Sequence, residues 1–233
     1  MILAGSIIAG LVLVWIALAA VLASRQRISF RQAILLVPLH VAWRVDGKAL
    51  RSAHATRSVV YVVSHQSRLD AALMLSLLPD DTLHILDAYS ANAAWMEPWR
   101  SLSRTSAFNP EHIFVNRRLV RVLRGGGRLC VYLPADLDPD TRAFRLYRAV
   151  ARIADRAGAK VVPVHIEGAG SLRFAFNRAS GINSRLFSKL EVRALEPATI
   201  EELIARYPNQ STRSGALYER MGETRSGGAQ NQV

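Results

Sequence analysis

The chain has a single cysteine, Cys130, among its 233 residues. One thiol cannot form an internal disulfide, and it excludes a zinc site built from several cysteines. Acidic residues are scarce as well, because 18 Asp and Glu stand against 30 Lys and Arg and leave a formal charge of +12. A balance this basic predicts a polyanionic partner: nucleic acid, an anionic membrane surface or a phosphorylated substrate. Apolar residues make up 50% of the chain, which excludes wholesale disorder.

Charge is absent from the first segment of the chain, Ile2 to Ser24. At about 1.5 Å per residue, a helix over this segment spans roughly 34 Å and can cross a bilayer core. A cleaved signal peptide is the alternative, but it usually has a basic start and a shorter apolar stretch. We therefore expect a transmembrane anchor over residues 1–24. Arg25, Arg27 and Arg31 follow it, so the positive-inside rule predicts a single-pass protein of the inner cell membrane with its domain in the cytoplasm.

Strand and helix signals alternate after a basic, amphipathic connector over residues 25–57, which we expect to pack on the domain. Within it, residues 33–43 are apolar but interrupted by Pro38, which indicates a packed or interfacial segment rather than a second crossing. Strands are predicted at 58–63, 82–86, 128–133, 160–166 and 190–194, and helices at 69–78, 92–103, 111–124, 141–157 and 200–207. The pattern predicts an α/β domain over 58–208, with a mixed sheet flanked by helices. The polar, Gly- and Ser-rich residues 209–233 predict a disordered tail.

A histidine and an aspartate lie at the junction between the first predicted strand and the helix after it. His65 follows the strand, and Asp70 falls in the first turn of the helix. A carboxylate on one imidazole nitrogen fixes the tautomer and leaves the other nitrogen as a base, which can deprotonate a hydroxyl for attack on an acyl carbonyl. The alternative is structural, because Ser67-x-x-Asp70 before an apolar run is also a capping box.

Further motifs extend this pattern along the chain. Pro163 lies in an apolar strand, Val161 to Ile166, about 95 residues after His65, and Phe108-Asn109-Pro110 lies between the two. In this order the chain resembles the glycerolipid acyltransferase superfamily, whose members transfer an acyl chain to a lysophospholipid or glycerol phosphate. The resemblance looks closest to the acyltransferase domain of bacterial 2-acylglycerophosphoethanolamine acyltransferases. It covers roughly Leu36 to Pro197.

The third block of that family, Phe-Pro-Glu-Gly at the end of a strand, is altered in this chain. The corresponding residues are Leu133-Pro134-Ala135-Asp136, so the proline is kept while the glutamate and glycine are replaced. In the family that glutamate belongs to the acceptor site. We expect Pro134 to end its strand beside His65, and Ala135 and Asp136 to line the acceptor pocket. The replacement also leaves open a non-catalytic, lipid-binding relative of the same fold.

The resemblance implies a membrane-anchored acyltransferase. Its donor would be a thioester, acyl-CoA or acyl carrier protein, and its acceptor a lysophospholipid or glycerol phosphate among the membrane phospholipids. His65 would be the general base and Asp70 its orienting carboxylate, with no acyl-enzyme, metal or cofactor required. Nucleic-acid binding rests on charge alone, and no nucleic-acid motif supports it. The residues expected to bind substrate are Ser67, Arg68, Asn109, Arg117, Arg121, Pro134, Ala135, Asp136 and Pro163.

Arg117 and Arg121 belong to a run of arginines that continues through Arg124 and Arg128. No acidic residue interrupts the chain between Glu111 and Asp136. Such a run predicts either phosphate binding or a helix face that is simply solvated.

Overall fold

The computed structural model describes residues 2–107, 117–134, 144–171, 189–210 and 212–226. The strands are β1 (Val59–His65), β2 (Thr82–Leu86), β3 (Arg104–Ala107), β4 (Arg128–Pro134), β5 (Lys160–Glu167) and β6 (Glu191–Ala194). The helices are α1 (Ile2–Gln26), α2 (Phe30–Trp43), α3 (Arg51–His54), α4 (Asp70–Leu77), α5 (Ala88–Asn92), α6 (Glu97–Arg100), α7 (Arg117–Arg124), α8 (Phe144–Ala157), α9 (Ile200–Arg206) and α10 (Arg213–Ser226). Short 3-10 turns cover Lys48–Leu50, Ala94–Met96 and Ala169–Ser171.

The six strands form one mixed sheet in the order β3-β2-β4-β1-β5-β6. The first five strands run parallel, and β6 pairs antiparallel with β5. The predicted mixed α/β sheet is therefore confirmed. β1 lies at the centre between β4 and β5, and its last residue, His65, is the register partner of Pro134 at the end of β4. The carboxyl ends of the parallel strands thus meet at one edge, where sites form in sheets of this kind.

Helices cover both faces of the sheet. Side chains alternate along each strand, so each strand contributes apolar side chains to a core on either face. Tyr61 and Val63 of β1 point into one core, which α1 to α4 and α6 cover; we call these helices the first layer. Val60 and Val62 point into the other core, which α7 to α10 cover; we call these the second layer. Burial on both sides explains why the strand signal at β1 is a continuous apolar run rather than an alternating one.

The first helix is mostly exposed. Along α1, large apolar side chains such as Leu11 and Leu13 are 65% and 67% exposed, whereas Ala19 and Leu22 near its carboxyl end are buried against α2. Of the described helices, only Gly5–Gln26 is long and apolar enough to cross a membrane by length and composition. The helix therefore presents an apolar surface that the other described residues do not cover.

The second helix packs on the domain and continues through Pro38. Ser29 and Gln32 form a reciprocal capping box at its start, and Leu36 and Val37 are buried in the first-layer core. This packing outweighs the one backbone hydrogen bond that a proline removes from a helix. The Gln32 side chain also donates to the carbonyls of Leu75 (3.1 Å) and Leu78 (2.6 Å), and so joins α2 to the carboxyl end of α4.

Three parts of the chain differ from the predictions. The expectation of a disordered tail is wrong for 213–226, which form α10, because Leu217 and Met221 on one side of this polar helix are buried in the second-layer core. The single helix predicted over 92–103 is not formed: α5 ends at Asn92, and a 3-10 turn and the short helix α6 follow, with Pro98 at the start of α6, where proline is favoured. Arg104–Ala107 form the edge strand β3, which was not predicted because its residues are mostly polar.

Candidate active site

The predicted pair lies at the carboxyl end of the central strand. His65 is the last residue of β1 and Asp70 the first residue of α4, so a four-residue turn brings imidazole and carboxylate together. His65 Nδ1 and Asp70 Oδ2 are 3.1 Å apart. The Asp70 side chain is completely buried, and the His65 side chain is 11% exposed. Because a carboxylate only accepts hydrogen bonds, Nδ1 carries the hydrogen and Nε2 is the nitrogen that can take up a proton.

The turn itself holds the carboxylate in place. Asp70 Oδ2 also accepts hydrogen bonds from the backbone N–H groups of Gln66 (2.7 Å) and Ser67 (2.8 Å). Together these three hydrogen bonds on one oxygen set the orientation of the carboxylate toward the imidazole. Asp70 Oδ1 is buried and has no hydrogen-bond partner among the described residues.

Only half of the alternative capping box is present. The Ser67 N–H donates to the Asp70 carboxylate as the motif requires, but the Ser67 hydroxyl accepts from the N–H of Leu69 at 3.2 Å. The residue that caps α4 is Leu69, and its side chain makes no capping bond. Asp70 therefore stabilises the turn before the helix and binds His65 with the same oxygen, so its structural role does not exclude the catalytic one.

An aromatic ring lies beside the imidazole. The rings of Tyr132 and His65 have centroids 5.5 Å apart and planes tilted by 60°. The Tyr132 hydroxyl and Nδ1 of His84 are 3.0 Å apart and share a hydrogen bond. Burial lowers the pKa of His84 to about 3 and is the main reason that the pKa of Tyr132 is raised well above its usual value. Both groups are therefore neutral at pH 7, so His84 and Tyr132 add no charge beside the pair of His65 and Asp70.

The lone cysteine lies in the same strand as Tyr132. Cys130 is completely buried, and burial raises the pKa of its thiol to about 12. At neutral pH it is a protonated thiol without access to substrate, so it is not a nucleophile. Within the described parts of the chain, no three His, Cys, Asp or Glu side chains are grouped so that they could hold a metal ion.

The structure brings three of the predicted substrate-binding residues to the edge that carries His65. Ser67 is buried in the turn, Arg68 is exposed next to it, and Pro134 ends β4 as the register partner of His65. The expectation that Pro134 ends its strand beside His65 agrees with this register. The Pro134 carbonyl also lies 3.4 Å from the hydroxyl of Tyr147, a buried residue of α8.

Other predicted binding residues lie elsewhere. Pro163 is in the middle of β5, opposite Val62, and strand alternation places it on the second-layer face, whereas His65 is on the first-layer face. Arg117 and Arg121 are exposed on α7, also in the second layer. Their placement gives no support to a direct role beside His65. Asn109, Ala135 and Asp136 fall outside the described residues.

Two residues that lie beside the pair of His65 and Asp70, Tyr132 and His84, were not predicted from the sequence. They come from β4 and β2 and are 48 positions apart, so no local motif contains both. The alternation of Cys130 and Tyr132 in a buried strand is the available signal, because it places both side chains on one face. Knowing that β4 pairs with β1 is what then places Tyr132 beside His65.

The part of the chain that holds this site matches a known protein family. Residues 43–167, more than half of the chain, match the family model described as Acyltransferase. The chain belongs to the acyltransferase family. The matched region of this acyltransferase includes His65, Asp70, Pro134 and Pro163. The prediction that the chain is an acyltransferase is confirmed at the level of the family.

The fold of this acyltransferase is similar to a solved structure. That structure is the crystal structure of the 1-acyl-sn-glycerophosphate (LPA) acyltransferase PlsC from Thermotoga maritima. The TM-score is 0.52, 98% of each chain is covered, and 16% of the residues are identical. At this identity the likeness concerns the fold, which extends over nearly the whole length of both chains.

Proposed function

We propose that the protein transfers an acyl chain from a thioester donor to the hydroxyl of a lysophospholipid, with His65 as the general base. The observation that carries this proposal is the bond between His65 and Asp70 at the carboxyl end of β1, inside the region that matches the acyltransferase family. A base of this kind must have one nitrogen fixed and the other directed at substrate. A second support is the acceptor in the printed name of the similar protein PlsC, a glycerophosphate that already bears one acyl chain.

In the proposed reaction the acceptor hydroxyl attacks the thioester carbonyl as His65 Nε2 removes its proton. The new C–O bond gives a tetrahedral intermediate, which collapses as the C–S bond breaks. The imidazolium then returns the proton to the departing thiolate, so that ester and free thiol leave and His65 is neutral again. Asp70 stabilises the transient imidazolium, because its carboxylate is held on Nδ1 by the backbone of Gln66 and Ser67.

We further propose that α1 anchors the enzyme in a membrane with the domain on the cytoplasmic side. Exposed apolar side chains cover the free part of α1, and Arg25, Arg27 and Arg31 follow directly after it. A helix of this length and composition is stable in hydrocarbon and costly to leave in water. The arginines orient it according to the positive-inside rule. An anchored domain meets an acceptor that itself resides in the bilayer.

One observation favours a second candidate, a lipid-binding protein without catalysis. Ala135 and Asp136 replace the glutamate and glycine of the third family block, directly after Pro134. Loss of a carboxylate that contacts the acceptor would weaken acceptor binding more than it would weaken proton transfer. The bonded pair His65 and Asp70 supports the catalytic proposal, because lipid binding alone has no need of a base.

One experiment tests both candidates. Membranes that contain the full-length protein are incubated with a labelled acyl thioester and with lysophosphatidic acid, lysophosphatidylethanolamine or lysophosphatidylglycerol. The wild type is expected to acylate at least one acceptor, and His65→Ala to lower that rate by about 10²–10⁴-fold. Equal rates in both proteins would refute His65 as the base. Lipid binding by both proteins without any acylation would favour the second candidate.

A further inference from the structure

Two neighbouring helices of the second layer present an unusual concentration of arginine to solvent. Each helix has four exposed arginines on the side away from its buried residues, and neither contains a lysine. We call this surface the arginine face; it consists of Arg117, Arg118, Arg121 and Arg124 of α7 and Arg145, Arg148, Arg152 and Arg156 of α8. None of the eight lies within ion-pair distance of a carboxylate of the described residues. The one acid of the two helices, Asp155, pairs with Arg213 of α10 at 3.2 Å.

The two rows of arginine lie side by side. α7 packs against α8, and the Arg124 guanidinium donates to the backbone carbonyl of Arg156 at 2.7 Å. In α8 the positions 145, 148, 152 and 156 follow helical spacing and form one straight row about 16 Å long. Like charges four residues apart destabilise a helix, so this arrangement does not serve the stability of the fold. A polyanion placed along the rows would relieve the repulsion and receive paired hydrogen bonds from the guanidinium groups.

The arginine face begins near the candidate active site. Tyr147 of α8 reaches the Pro134 carbonyl, and Pro134 is the register partner of His65. The amino end of α8 therefore lies at the edge of the sheet where the base is found. A partner that covers this face would place an attached group close to that edge.

The positions of the exposed apolar residues favour a soluble partner over a bilayer. Among the described residues, large exposed apolar side chains lie on the first-layer helices α1 and α2 (Phe30 and Val41 in α2) and at Trp95 in the 3-10 turn before α6; Ile204 of α9 is the exception. The sheet separates this apolar side from the arginine face. α7 and α8 pack their leucines against the core and expose none of the large apolar residues with which a surface helix enters a membrane.

We propose that the arginine face docks an acidic carrier protein that bears the acyl thioester. This deepens and rests on the proposed function, in which the donor is a thioester carried either by a nucleotide or by a protein. A nucleotide has a few phosphates and needs a confined pocket, whereas eight arginines spread over two exposed helices match the length of an acidic helix. Electrostatic steering by this surface would speed encounter and orient the carrier toward the edge that holds His65.

The test compares two donors that carry the same acyl chain, palmitoyl-acyl carrier protein and palmitoyl-CoA, on the full-length enzyme in nanodiscs. The variant is Arg145→Glu/Arg152→Glu. Its introduced carboxylates alternate with Arg148 and Arg156 along the row and replace like-charge neighbours by opposite ones, so the helix does not lose stability. The control, Arg104→Glu/Lys160→Glu, makes the same change in net charge at exposed positions of β3 and β5, outside the two helices.

We expect the variant to lower kcat/KM for palmitoyl-acyl carrier protein by about tenfold or more through KM, and the control to leave it nearly unchanged. With palmitoyl-CoA, variant and wild type should agree within about twofold, because this donor has no acidic protein surface to dock on the arginine face. Added salt should slow the wild type with the carrier and hardly affect the variant. Binding of the carrier protein alone, measured without acceptor, should weaken in the same proportion.

Three results would overturn the proposal. Equal kinetics of variant and wild type with the carrier would show that the face does not dock it, while turnover of palmitoyl-CoA would leave the proposed function intact. Loss with both donors, confined to nanodiscs that contain phosphatidylglycerol, would assign the face to the membrane. If the wild type turns over neither donor, the proposed function fails, and unchanged carrier binding by the variant then refutes the docking surface as well.

Discussion

The ring of Tyr132 lies against the imidazole of His65, with 5.5 Å between centroids, and its hydroxyl is bonded to His84 on the neighbouring strand. His65 is therefore held from two directions. Asp70 fixes one ring nitrogen, and Tyr132 covers one side of the ring. Since a base must keep its second nitrogen directed at the acceptor hydroxyl, we infer that Tyr132 is a positioning residue for His65.

Replacing Tyr132 should therefore lower turnover without weakening substrate binding. We expect Tyr132→Leu to reduce kcat by about 10–100-fold, because the imidazole gains freedom to rotate. Tyr132→Phe keeps the ring beside His65 and should recover most of the activity. The measurement is kcat and KM for acceptor and donor, with the pH profile of kcat. A rise in KM with unchanged kcat would place Tyr132 in substrate binding, and equal losses in the two variants would assign the effect to the hydroxyl.

Asp70→Asn separates the electrostatic role of Asp70 from its role in the turn. An asparagine oxygen can still accept from the N–H groups of Gln66 and Ser67, so the turn should persist. The negative charge that stabilises the imidazolium is lost, and we expect the acyl-transfer rate to fall by about 10²–10⁴-fold. Activity and thermal unfolding are measured on the same preparation. Full activity with a lowered Tm would show that Asp70 serves the turn alone.

The buried His84 makes the protein sensitive to acid. Burial depresses the pKa of His84 from 6.5 to about 3, so between these values the unfolded chain binds a proton that the folded chain does not. Stability from this group is complete above pH 6.5 and decreases as the pH falls, by about 1.4 kcal/mol per pH unit. Between pH 6.5 and 5 the expected loss is about 2 kcal/mol. The pKa of His54 is also lowered, mainly by burial, and adds to the same trend.

His84→Gln isolates this contribution, because an amide keeps a hydrogen bond to Tyr132 and does not titrate. Urea unfolding in detergent at pH 7 and pH 5 should show a smaller difference for the variant than for the wild type. The same pH dependence in both proteins would mean that His84 is hydrated and titrates normally in the folded state.

The carboxyl-terminal helix α10 gives a test of the fold where sequence and structure disagree. Leu217 is completely buried against the second-layer core, so Leu217→Ala should cost about 2–5 kcal/mol of folding free energy. Glu219→Ala on the exposed side of α10 should change stability by less than about 1 kcal/mol. Thermal unfolding of the two variants checks this. If Leu217→Ala is as silent as Glu219→Ala, this part of the chain does not pack on the domain.

The anchor is tested by extraction with alkaline carbonate. A helix that spans the bilayer stays in the membrane pellet at high pH, whereas a protein held by charge is released. We expect the full-length protein in the pellet. Full-length protein in the supernatant would show that the exposed apolar side of α1 is covered by something other than lipid.

The sequence predicted the central part of the sheet well, for a physical reason. β1, β2, β4 and β5 lie within two residues of their predicted ranges, because strands buried on both faces are short, continuous apolar runs. β3 was missed because an edge strand of four residues, Arg104–Ala107, has few apolar contacts to encode. α10 was missed because only one side of this helix is buried, and the many polar, Gly and Ser residues of the segment outnumber the few apolar residues on that side.

The candidate site was predictable only where it is local in the chain. His65 and Asp70 are joined by one turn, so their spacing and position were enough to predict the contact. Tyr132 meets His65, and His84 meets Tyr132, because of the strand order, which no short motif encodes. Pro163 lies in the middle of β5. The family motif that contains it gave no information about its distance from His65.

The hydrogen bonds of the Gln32 side chain affect the level, relative to the membrane, at which the proposed reaction takes place. Gln32 lies in the first turn of α2, six residues after the end of α1, and it holds the carboxyl end of α4, the helix that begins at Asp70. The eight residues of α4 are about 12 Å long, so a short helix connects the proposed anchor to the proposed catalytic pair. With α1 in the bilayer, the imidazole is held at a set level relative to the lipid headgroups. The reaction rate should then depend on bilayer thickness, because a thicker or thinner membrane changes the distance between the acceptor hydroxyl and the imidazole, whose level is fixed.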